Sequence, residues 1–81
     1  MASKIRLHDV VALMEDVPAT HFLTREPLQL RRGQIATVVM LLDDSRFQVE
    51  FSDNDGRAYA MLPLRESQLM LLREHPEPIP A

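Results

Sequence analysis

The chain has 81 residues, 46% of them hydrophobic and 26% charged, enough for one core and too few for two. Nine Lys and Arg against twelve Asp and Glu give a formal charge of −3 and a pI near 5.5, which disfavours a broadly cationic surface for nucleic acid or anionic lipid. With no cysteine, a disulfide framework, a thiolate zinc site and a Cys nucleophile are all excluded.

From the N-terminus, Lys4 and Arg6 resemble the start of a targeting peptide, but His8, Asp9, Glu15 and Asp16 break any apolar region and no small-residue cleavage site follows. A soluble cytoplasmic protein is expected. Leu7, Val10, Val11 and Met14 fit the i, i+3, i+4, i+7 spacing of a short amphipathic helix, while Val10 to Met14 is equally an apolar run of strand length. Glu15 to Arg32, broken by Pro18 and Pro27, reads as a long first loop whose middle (His21, Phe22, Leu23) folds back onto the core; such a loop is where binding concentrates.

Gln34 to Leu42 is β-branched and apolar, a strand, and Asp43-Asp44-Ser45 is a turn. Its most apolar part, Ile35 to Leu42, is far short of the roughly 20 residues of a membrane-spanning helix. Arg46 to Phe51 alternates strictly, with Phe47, Val49 and Phe51 on the inward face. Asp53-Asn54-Asp55-Gly56 is a second turn, and Arg57 to Leu62 the returning strand, so three strands form a meander. Gln68 to Arg73 is helix or strand, and Arg65-Glu66-Ser67 before it is a helix start or a single tight turn. Residues 75–81 alternate proline with other residues and read as an extended, flexible tail on a domain of residues 1–74.

The residues that carry chemistry are sparse. His8, His21 and His75 have no ligand-like neighbour at i+2 or i+4 and are expected as solvent-exposed histidines on an edge, a loop and a tail. Ser3, Ser45, Ser52 and Ser67 lack a nucleophile elbow or an adjacent base. If Gly56 is set at the sixth position of a calcium loop, Phe51 and Leu62 fall at the first and twelfth, where neither binds a cation. No catalytic residue, cofactor or metal is therefore expected, and the chain reads as non-enzymatic. What remains is Arg31-Arg32-Gly33 with Arg25 upstream and Arg57 beyond the second turn. These guanidiniums either hold a carboxylate or phosphate in bidentate fashion or pair with surface carboxylates. Tyr59 is either a packing residue or a contact, because both faces of its strand are apolar.

Three strings, Asp9-Val10-Val11-Ala12-Leu13, then Leu30 through Val39, then Val49 to Asp53 with Asp55 to Ala60, resemble a family of short bacterial proteins catalogued only as a domain of unknown function. The likeness spans about residues 7 to 73. It implies an all-β, SH3-like five-stranded barrel, and so makes both ambiguous flanks strands. Weaker likenesses are to the barrel of the nitrile hydratase β subunit, through Thr24 to Gly33, and to KOW modules, through Arg32 to Ile35. The expected function is a small protein-interaction or regulatory module, an antitoxin-like partner of a neighbouring gene product, with Arg25, Arg31, Arg32, Arg57 and Tyr59 as its contact residues. Its partner is expected to be another protein rather than nucleic acid or membrane. The other two readings are a KOW-like RNA or ribosome-associated binder, which needs the four arginines in one patch, and an accessory subunit of an enzyme.

Overall fold

A computed structural model describes residues 4–80. Its strands are β1 (Val10–Leu13), β2 (Val17–Thr20), β3 (Pro27–Leu30), β4 (Ile35–Leu41), β5 (Arg46–Ser52), β6 (Ala58–Arg65) and β7 (Leu69–Leu71), with one 3-10 turn at Glu66–Gln68. Among the described residues no helix is long and apolar enough to cross a membrane.

The alternation of β5 settles the interior. Phe47, Val49 and Phe51 are buried, and β5 is hydrogen-bonded on both sides, to β4 and to β6. Val38 faces Val49, Leu64 faces Phe47 and Ala60 faces Phe51, so the inward residues meet in cross-strand rows. Val11 and Leu13 from β1, Leu69 from β7, and Val17 and Leu30 from the β2–β3 hairpin complete the core. Burying each such large side chain contributes about 1.5–3 kcal/mol.

All connected strands are antiparallel, and the large sheet runs β6-β5-β4-β1-β7. The fold is all-β, as expected, and both flanks are strands. It departs from the expected barrel in two respects. The sheet's backbone ladder does not close, because β6 and β7 are its two edges; β2 packs beside β6 instead. And the segment from Glu15 to Arg32 is not a plain loop but carries two further strands, making seven among the described residues. Neither proline prevents this: Pro18 pairs with Gln29 and Pro27 with Thr20 in an isolated two-stranded ribbon, whose outer sides need no amide donor.

The turns follow from side-chain chemistry. Asp43 accepts the Ser45 N–H at 2.9 Å and the Arg46 Nε–H at 2.7 Å. These bonds hold its carboxyl below the ordinary value of 3.8, the Ser45 amide being the larger cause. Asp53 accepts the N–H groups of Asp55 and Arg57 at 2.9 and 3.0 Å, and Gly56 takes the positive φ of +78° that this turn requires. After the 3-10 turn, β7 leaves the sheet at Leu71, and none of residues 72–80 is in a strand or helix.

Candidate interaction site at Tyr59

Tyr59 is neither a plain core residue nor a plain surface one. Phe51 pairs with Ala60 but Ser52 pairs with Ala58, so Tyr59 is the extra residue of a β-bulge. A bulge re-aims a side chain and releases a backbone group from the ladder. Both consequences are used here. The half-buried Tyr59 ring packs on the core, while the Tyr59 carbonyl accepts the Phe22 N–H at 3.0 Å and so fastens the tip of the β2–β3 hairpin to β6.

The tip itself is built around His21. Its Nδ1 accepts the N–H groups of Leu23 and Thr24, both at 3.2 Å, and its carbonyl accepts the Arg25 N–H at 2.8 Å. Two N–H donors on Nδ1 place the ring proton on Nε2. The His21 ring lies 6.2 Å from that of Tyr59 and 6.0 Å from that of Phe22. His21 is thus half-buried and structural, not the solvent-exposed loop histidine the sequence suggests; its multiple acceptor role has no pattern in the sequence. His8 and His75 are exposed, as expected.

At the foot of the hairpin, Arg31 to Gln34 forms a turn closed by the Gln34 N–H on the Arg31 carbonyl at 2.9 Å, with Gly33 at a φ of +89°. Gln34 then reaches two ways: its Oε1 accepts the Arg31 N–H at 3.1 Å and its Nε2 donates to the Tyr59 hydroxyl. Asp16 braces the same turn, accepting the Arg32 N–H at 2.8 Å and lying 3.6 Å from the Arg31 Nε.

Three of the five residues singled out in the sequence are therefore linked in the fold. Tyr59 is the hub, Arg31 is joined to it through Gln34, Arg25 through His21, and Arg57 lies two residues before it in the chain. Arg32 is held at the same turn only by its backbone. All four arginines are exposed, and among the described residues no carboxylate pairs with the guanidiniums of Arg25, Arg32 or Arg57. No three His, Cys, Asp or Glu side chains of the described residues gather as a metal-binding group.

Residues 7–71 match the family described as Domain of unknown function (DUF4926). The chain belongs to that family. The DUF4926 match begins just before β1 and ends at the last residue of β7, so it takes in the whole sheet and the hairpin and leaves the proline-rich tail outside. No curated protein matches the chain, and no solved structure does.

Proposed function

We propose that this DUF4926 chain is a non-enzymatic protein-interaction module of the cytoplasm, and that the surface around Tyr59 is its contact site. The observation that carries the reading is the docking of the hairpin tip on the β6 bulge. It fixes an aromatic cluster (His21, Phe22, Tyr59) in the same part of the fold as Arg25, Arg32 and Arg57, whose guanidiniums pair with no carboxylate of the described residues. Interface anchors are enriched in Tyr and Arg, because a ring and a planar fork lose little entropy on contact and a guanidinium grips carboxylates in two places. A partner offering carboxylates to these arginines is the complement.

The test is affinity capture from the native host with the wild-type chain, then with Arg31→Glu and Arg32→Glu combined, and with Tyr59→Ala. The expected result is a specific protein retained by wild type and lost with the double reversal, while Arg65→Glu, far along β6, retains it. Full retention by the double reversal refutes the site. A nucleic acid as the retained species, lost as salt rises, refutes the partner class.

A further inference from the structure

A second surface lies on the outer side of β7, β1 and β4 and involves none of the Tyr59 residues. Ala12 is paired with Ile35 on one side and Met70 on the other, and Val10 with Thr37 and, through the Leu72 N–H, with Leu72. Side chains opposite one another in adjacent strands point to the same side. Met70, Ala12 and Ile35 therefore form one row, and Leu72, Val10 and Thr37 the next. None carries a charge. Ile35 is 60% exposed, Met70 49% and Val10 39%, whereas the solvent face of an antiparallel sheet is ordinarily polar. Ala12, between Ile35 and Met70, is buried at 8%, so the exposed apolar surface is carried by its larger neighbours, and such a surface marks an interaction site.

Its border is acidic. Glu50 stands beside Thr37 on β5, Glu15 follows Met14 at the end of β1, and Glu74 lines, with Val10, Ile35 and Leu72, a groove of about 540 Å3 at the margin. Among the described residues no cation pairs with Glu15, Glu50 or Glu74. Arg73, which also lines the groove, is engaged with Glu77 at 3.1 Å.

We infer that this face docks a cationic amphipathic helix of a partner protein, its apolar stripe on the two rows and its Lys or Arg flanks on the glutamates. The dimensions agree, since three strands span about 10 Å between the outer two and a helix with side chains is about 10–12 Å across. A second copy of this chain is a poor occupant, because an isologous contact brings the same acidic border of both copies into one interface. An anionic bilayer is opposed by the same carboxylates.

The probe is a synthetic helical peptide of Leu and Lys, about 18 residues long with Leu at the i, i+3, i+4, i+7 positions, and its Leu/Glu counterpart. Each is titrated into the isotope-labelled full chain while the amide resonances are followed. Saturable shifts are expected at residues 10–14, 33–37 and 68–72 with the Leu/Lys peptide, and binding at least about tenfold weaker with the Leu/Glu peptide. Ile35→Asp with Met70→Asp should abolish those shifts. Because that pair risks the fold, Glu50→Lys with Glu74→Lys provides the second arm: it should weaken the Leu/Lys peptide and strengthen the Leu/Glu one. Equal affinity for the two peptides, shifts centred on Tyr59, or no saturable shift overturns the inference. So does a dimer in sedimentation that Ile35→Asp dissociates, since the occupant is then a second copy.

Discussion

Phe51 and Arg25 show opposite relations between a residue and its backbone. Phe51 is fully buried near the end of β5, and replacing it with alanine removes its transfer energy and leaves a cavity, at a cost of about 3–5 kcal/mol. Most of a small domain's stability is of that order, so Phe51→Ala is expected to be largely unfolded by circular dichroism at room temperature. Arg25 has no such burial. It closes the hairpin tip at a φ of +66°, a region that costs a bulky L-residue about 1–2 kcal/mol and glycine almost nothing. Arg25→Gly should therefore raise the urea midpoint or leave it level, after the extra unfolded-state entropy of glycine is offset, and Arg25→Ala should not raise it. If Arg25→Gly gains stability and loses partner capture, the arginine is kept at that angle for contact.

Elements follow the same logic at larger size. The β4–β5 turn depends on the Asp43 carboxylate, whose pKa is depressed in the folded state. Its contribution is therefore present above 3.8 and lost as pH falls through the depressed value. Asp43→Asn is expected to narrow the stability gap to wild type in acid relative to neutral pH, in urea melts at about pH 2 and pH 7. The tail behaves differently: residues 76–80 are exposed, Ile79 at 93%, and the Arg73–Glu77 pair is solvated. Deleting residues 76–81 should leave Tm within about 2 °C in calorimetry, where a drop above about 5 °C would reveal a docked tail. The meander was legible because Phe47, Val49 and Phe51 alternate and Asp-Gly names its own turn. The hairpin was not, since Val17 to Thr20 and Pro27 to Leu30 are four-residue strands that each include a proline, and their tip is fastened to a bulge far away in the chain. Arg25 and Arg31 stand out as unusual residues in a loop, but what connects them to Tyr59 is His21 and Gln34, whose roles lie in side-chain geometry rather than in any spacing.

Across the whole molecule, the two proposed surfaces sit on opposite sides of one strand end. Gln34 turns toward Tyr59, and Ile35, the next residue, turns outward to the apolar rows. One side offers cations and the other a carboxylate-framed apolar face, a division suited to joining two unlike partners.

The sheet order carries a kinetic consequence. Strands β4, β5 and β6 are joined by short turns and pair with their neighbours in sequence, whereas β1 bonds to β7 from the opposite end of the domain's sequence. Contacts between distant residues must overcome more loop-closure entropy, so the meander is the part that assembles at the folding barrier and β1 with β7 the part that joins afterwards. In stopped-flow chevrons, Val49→Ala should mainly slow refolding and Val11→Ala should mainly speed unfolding, although both side chains are completely buried. Until β7 has been synthesised, β1 has no second neighbour, and a nascent chain displays its uncharged outer residues on an unpaired edge, where strand-to-strand aggregation starts.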